Sequence, residues 1–298
     1  MSVYLKQFST HSEYEAYIAS EDKVLPNVSI CKDTEDVHYN PYVPPTPVET
    51  RVVAKFNVTS TSSPTPIGYN QYTTGFSEIE IDGVVQPSVV SAYTFSTTGE
   101  HTVKYTLTDP TIIGLYSFLG CASLTSIDIP SGVTSIGVSA FKGCTSLTSI
   151  EIPSGVTSIR DSAFSGCSSM SSCTFAEGSV LTSIGESAFT YCTSLTSIDI
   201  PDSVIGIIDY AFRYCSGLIS CTIGSGVTSI RDNAFRACSS LNSITSNAVT
   251  APTIQNYTFY GIKTGGTLTV PSGSSGYDTW MQNADYYLGL YDWTKVEQ

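Results

Sequence analysis

The chain has 298 residues, 41% of them hydrophobic and only 13% charged, with a formal charge of −13 and a pI near 4.5. The length suits two or three compact units, and the composition excludes a disordered chain. The acidic balance argues against nucleic acid, which needs Lys and Arg to neutralise phosphates, and against an anionic membrane surface. No apolar run approaches the roughly 18 residues of a membrane span, so no membrane insertion is expected.

Residues 1–43 read as a small module. "SVYLKQF" is a strand, and "STHSEYEAYIAS" is a short helix with Thr10 and Glu13 at capping-box spacing. "NVSICKDTEDVHYNP" is a hairpin with the acidic tip Asp33 to Asp36. The opening residues show no basic stretch followed by an apolar one, so no secretory signal is read there. That points to a trimmed chain or another export route. Residues 44–50 lie in the Pro-rich run "PYVPPTPVE", a stiff extended linker. A module on such a spacer is expected to attach the chain to a larger assembly.

Residues 51–110 form a β unit. "RVVAKFNVTS", "FSEIEIDGVVQP" and "AYTFSTTGEHTVKYTLTDP" alternate in hydropathy. Asp82-Gly83 is a strong hairpin signal, and Thr98-Gly99 is a weaker one. "GEHTVKYTLTD" resembles the closing strand of PKD-like or Ig-like sandwich domains. The unit meets the following repeats without a linker, so it is expected to cap their N-terminal end.

From residue 111 the chain repeats. Six Cys stand at 121, 144, 167, 192, 215 and 238, in steps of 23, 23, 25, 23 and 23. A Phe lies three residues before each Cys, and a Leu or Met three residues after. In each unit "LTSIxI" alternates as a short strand, "PSG" turns, "VTSI" extends and "xxAFxxC" makes a short helical or 3₁₀ turn. One unit buries a single apolar face, so units must stack as a solenoid, each large buried side chain contributing roughly 1.5–3 kcal/mol.

The unit "IGVSAFKGCTSLTSIEIPSGVTS" resembles the BspA-like, or Treponema-type, leucine-rich repeats, over about Ile113 to Pro271. The resemblance implies a leucine-rich-repeat solenoid over 111–270 and binding at a cell surface or host matrix. Residues 271–298 carry Trp280, Tyr286, Tyr287 and Trp293. They read as a C-terminal cap of aromatic rings, with a carbohydrate platform as the alternative.

Chemistry is sparse. The Cys spacing equals the repeat and lacks C-x-x-C pairs, so no metal is expected. Cys173 and Cys221 replace the core Ile of other copies. The Cys are read as buried free thiols, which suit folding in a reducing compartment. None of the three His lies in the repeats or in a catalytic motif. Asp128, Glu151 and Asp199 share one repeat position and read as a solvated stripe, not a glycosidase pair. No catalytic residue and no cofactor is expected.

Recognition remains. Binding residues of a solenoid are exposed positions that break the repeat rule. Before the Cys, Gly143 and Gly166 give way to Tyr191 and Tyr214. One residue earlier, Lys142, Ser165 and Thr190 give way to Arg213 and Arg236. With Tyr210, these five form the candidate site, and aromatic faces with Arg suit sugars, carboxylates or a protein hot spot. The reading is a mainly β, non-catalytic recognition or adhesion protein, extracellular or virion-associated, that binds a protein or glycan on a cell surface. A phage fibre or decoration protein is the second reading. A glycan-active enzyme is the third.

Overall fold

The computed structural model describes residues 5–8, 28–31, 37–38, 51–68, 75–283 and 287–298. The chain divides into two compact units, Met1–Val48 and Glu49–Gln298. In the first, β1 (Leu5–Phe8) pairs in parallel with β2 (Val28–Cys31), which pairs antiparallel with β3 (Val37–His38). The strand and hairpin expected there are present. The Thr10–Glu13 helix, the Asp33–Asp36 tip and the 44–50 linker lie outside the described residues.

The second unit opens with β4 (Arg51–Val58), β5 (Thr65–Pro66), β6 (Phe76–Ile81), β7 (Val84–Val85), β8 (Ala92–Tyr93) and β9 (Gly99–Leu107). Alternation decides their faces: Val52, Ala54, Phe56 and Val58 of β4 are buried, as are Val103, Tyr105 and Leu107 of β9. Asp82 and Gly83, both at positive φ, make the two-residue turn between β6 and β7. β4, β6, β7 and β9 form one antiparallel sheet, and β5 and β8 a separate pair.

The repeats supply β10 (Ile112–Ile113), β11 (Leu124–Asp128), β12 (Ser135–Ile136), β13 (Ser149–Ile152), β14 (Ser158–Ile159), β15 (Ser172–Phe175) and β16 (Ser183–Ile184). β17 (Ser197–Asp199), β18 (Gly206–Ile207), β19 (Ser220–Ile223), β20 (Ser229–Ile230), β21 (Ser243–Ser246), β22 (Thr253–Ile254), β23 (Thr267–Val270) and β24 (Thr294–Glu297) follow. Even-numbered strands from β10 to β22 form one seven-stranded parallel sheet. On the other side, β13 pairs with β15, and β17, β19, β21, β23 and β24 form a parallel sheet. That side is interrupted between β15 and β17, where the 25-residue step inserts two residues. β11 instead pairs antiparallel with β4, so the region 51–110 and the first repeat share one sheet.

The core between the two sides is a column. Phe118, Phe141, Phe164, Phe189, Phe212 and Phe235 stack at 5.2–5.3 Å, and Phe259 extends the column at 5.9 Å. Beside it runs a column of buried Cys. The thiols of Cys144, Cys167, Cys192, Cys215 and Cys238 each donate to the Phe carbonyl of the preceding turn at 3.1–3.3 Å. A Cys thus fills the space of a small hydrophobe and adds a second, weak hydrogen bond to a carbonyl that already accepts a backbone N–H.

Both ends of the column are closed. Phe76 and Tyr105 pack on Phe118 at 5.6 and 5.2 Å. At the other end Trp280 packs on Phe259 at 5.5 Å, and β24 extends the sheet beyond β23. Trp280 and Trp293 are buried, and their ring N–H groups donate to the carbonyls of Pro252 and Lys263. These rings face the core and offer no open platform to a sugar. Tyr286 lies outside the described residues.

Candidate functional site

The edge joining each even strand to the next odd one is built from tight turns. In every turn, the residue five before the Cys position and the residue just before it are left-handed. The first row is Tyr116, Ser139, Ser162, Ser187, Tyr210, Asn233 and Tyr257, with φ of 52–60°. The second is Gly120, Gly143, Gly166, Tyr191, Tyr214, Ala237 and Gly261, with φ of 59–76°. Ile262 takes the Cys position in the last turn. The alternation turns every second amide along the solenoid axis. The N–H groups of Ser139, Phe141 and Gly143 donate to the carbonyls of Asp161, Ala163 and Ser165 at 2.7–2.9 Å. The same residues prevent a continuous 3₁₀ helix, leaving separate i→i+3 turns instead.

A left-handed conformation costs a non-glycine residue about 1–2 kcal/mol. Glycine avoids that cost at 143 and 166, whereas Tyr191 and Tyr214 bear it. Their rings stack at 4.8 Å with planes 13° apart. The Arg213 guanidinium lies 4.6 Å from the Tyr214 ring centre and 5.2 Å from that of Tyr210. Its Nη2 donates to Tyr214 Oη at 3.3 Å, and its Nε is buried without a hydrogen-bond partner. Tyr191, Tyr210, Arg213 and Tyr214 are therefore one cluster.

Arg236 stands one turn further. Its guanidinium lies 5.0 Å from the Tyr260 ring centre and 6.0 Å from that of Tyr257, and Nη1 donates to Asn233 Oδ1 at 3.1 Å. Tyr257 and Tyr260 extend the cluster, and the sequence reading did not single them out. They occupy the Tyr210 and Arg213 positions of the last turn, so aligning that degenerate copy on Phe259 would have found them.

Among the described residues, no carboxylate lies within ion-pair distance of Arg213 or Arg236. Arg51, Lys55, Lys104, Arg231 and Lys295 each have at least one, and Lys142, Arg160 and Lys263 have none among the described residues. The two arginines are held by tyrosine rings instead, which leaves most of their donors uncommitted.

The other candidates carry less chemistry. Burial pushes the thiols of Cys121, Cys167 and Cys215 up to about 12, far from a nucleophile's range. Asp128, Glu151 and Asp199 are exposed, one per turn. Asp128 and Glu151 line a shallow groove of about 470 Å³ with Ser126 and Ser149. No group of three or more His, Cys, Asp or Glu among the described residues could hold a metal. His101 resembles part of a triad, with Nδ1 2.6 Å from Asp82 and Nε2 3.4 Å from the Thr97 hydroxyl. Its Nε2 also lies 3.0 Å from the Thr97 carbonyl, which can only accept. Both ring nitrogens therefore donate, and the ring is a structural cross-link, not a base.

Residues 111–241 and 169–278 match the profile of the BspA type leucine rich repeat region, in six copies. A leucine-rich repeat protein of T. pallidum with a solved structure is 34% identical, over 51% of this chain and 69% of its own, with a TM-score of 0.48. One from Bacteroides ovatus is 24% identical, over 64% of this chain and 54% of its own, with a TM-score of 0.39. A leucine rich cell surface protein from Faecalibacterium prausnitzii is 20% identical, over 62% of this chain and 76% of its own, with a TM-score of 0.24. No curated protein is significantly similar.

Proposed function

The chain belongs to the BspA type leucine-rich repeat family, and from that premise we propose that it is a non-catalytic recognition protein. Its ligand is a protein or glycan on a cell surface, bound along the tyrosine–arginine edge of the later turns. One observation carries the reading: two stacked tyrosines occupy left-handed positions where three earlier turns have glycine. Left-handed non-glycine residues recur in every turn, so what the later turns add is the exposed aromatic stack beside Arg213.

The test is the double variant Tyr191→Gly, Tyr214→Gly, screened on glycan and matrix-protein arrays. Relief of about 1–2 kcal/mol of strain per residue opposes loss of a stack worth about 0.5–1.5 kcal/mol and of ring burial. Stability is therefore expected to move by no more than about 2 kcal/mol, while binding is lost. Binding equal to the parent's would refute the site.

The eight Cys of the repeats are free and buried, and they support a second reading. Such thiols suit a chain that folds in a reducing compartment before display on an assembled particle such as a phage virion. Residues 1–43 would then anchor it. Recovery of the chain in purified particles favours this reading, and recovery in washed cell envelopes favours the secreted adhesin.

A further inference from the structure

We propose that the tyrosine–arginine edge takes an acidic glycan of low charge density, in which neutral sugars alternate with isolated carboxylates. The inference rests on the recognition reading above and names its ligand class.

The chain has 26 acidic and 13 basic Lys and Arg residues, so a counter-ion for any arginine is easily supplied. Arg213 and Arg236 nevertheless face tyrosine rings, and the buried Arg213 Nε has no acceptor. The buried Nε is out of a ligand's reach, but the outer Nη donors of both guanidiniums are largely uncommitted, and an incoming carboxylate can take them in charge-assisted hydrogen bonds. The two arginines stand one turn apart, roughly 4.8 Å along the axis. One isolated carboxylate set between the two guanidiniums can therefore meet both, with the neutral sugars to either side lying along the edge.

The neighbouring surface suits a sugar ring. Tyr191 is 51% exposed. One of its faces meets Tyr214, and the preceding turns carry Gly166 and Gly143 at the same position, without side chains to cover the other. The result is a shelf ending at an aromatic wall, against which the apolar face of a pyranose can stack. Arginine clusters also take acidic peptides, but the open shelf beside Tyr191 fits the face of a sugar ring and favours the glycan. An acidic peptide that outbinds every glycan probe would overturn this.

Dense polyanions are disfavoured. Asp161, Glu186, Asp209 and Asp232 run beside the first left-handed row, and Arg231 pairs with Asp209 alone. With the net charge of −13, that row repels sulfated polymers.

The experiment uses the full chain and matched probes: sialyllactose with lactose, and hyaluronan oligosaccharides with their carboxyl-reduced forms. Heparin oligosaccharides complete the set. At least one sparsely charged acidic probe is expected to bind about ten- to a hundredfold tighter than its neutral partner. Arg213→Gln with Arg236→Gln should erase that difference while the chain still unfolds in one cooperative transition and keeps its binding to the neutral probes. The inference fails if no acidic probe is preferred, or if heparin binds tightest. If neutral and acidic probes bind alike and Tyr191→Gly, Tyr214→Gly abolishes both, the acidic ligand is refuted while the recognition site stands.

Discussion

Before the Cys position, the first three turns carry Gly120, Gly143 and Gly166, and the next two carry Tyr191 and Tyr214. All five have φ between 60 and 76°. The backbone is the same and the side chains differ. In the core, the Phe spacing is 5.2 Å between Phe118 and Phe141 and 5.2 Å between Phe189 and Phe212. Identical packing beneath a changed edge means that the tyrosines are no response to the core. The early turns show what folding alone requires, and the later turns show what has been added.

Three measurements can break that comparison. The largest effect lies in the shared core. Phe141→Ala and Phe212→Ala should each cost about 3–5 kcal/mol in urea unfolding, from lost burial and a cavity. A much smaller loss in one half would mean that the halves are not built alike.

The next converts the early edge into the later one. A Cβ at residue 143 would sit 3.7 Å from its nearest neighbour and one at 166 would sit 3.8 Å away, so there is room for a side chain. Gly143→Tyr with Gly166→Tyr should cost about 1–2 kcal/mol per residue from left-handed strain, less about 0.5–1.5 kcal/mol for each stacked pair. A far larger loss would reveal a packing role for the glycines that the geometry does not show.

The smallest effect concerns the region that closes the N-terminal end. The three His stand at 11, 38 and 101, none in the repeats. Burial disfavours charge on His101, but the Asp82 hydrogen bond, the Thr97 carbonyl and the Asp82 charge together raise its pKa above the usual 6.5. Stability from this link is complete below the unfolded value and is lost as pH rises through the higher folded value. Protection factors in β6 and β9, corrected for base-catalysed intrinsic exchange, should therefore fall as pH rises above the usual imidazole range, with little change in the repeats. Asp82→Asn should flatten the dependence. An equal fall in protection factors across the repeats would show that another group controls it.

Much of the fold was legible because a repeat states the same local problem many times. Phe, Ala, Cys and Leu recur at fixed offsets, and that recurrence alone marks them as inward-facing. The Asp82-Gly83 turn was legible because few sequences accept two successive residues at positive φ. The pairing of β4 with β11 was not, because strand partners distant in sequence leave no local signal. Of the site, the departures at Tyr191, Tyr210, Arg213, Tyr214 and Arg236 stood out against the repeat. Tyr257 and Tyr260 did not, because their copy has Ile262 in place of Cys and the alignment faded there.

The amino-acid order alone determined that the chain stacks repeats, which side chains enter the column and which turns break the rule. Periodicity carries that information, since each residue's inward or outward direction follows from its place in the unit. The stacking of Tyr191 on Tyr214 in adjacent turns already followed from the repeat register. Only the tertiary structure decided that Tyr191 and Tyr214 take a left-handed backbone. It also gave Arg213 and Arg236 tyrosine partners, with no carboxylate among the described residues within ion-pair distance. Those outcomes depend on amides and side chains one full turn away, and the register between turns exists only once the solenoid has formed.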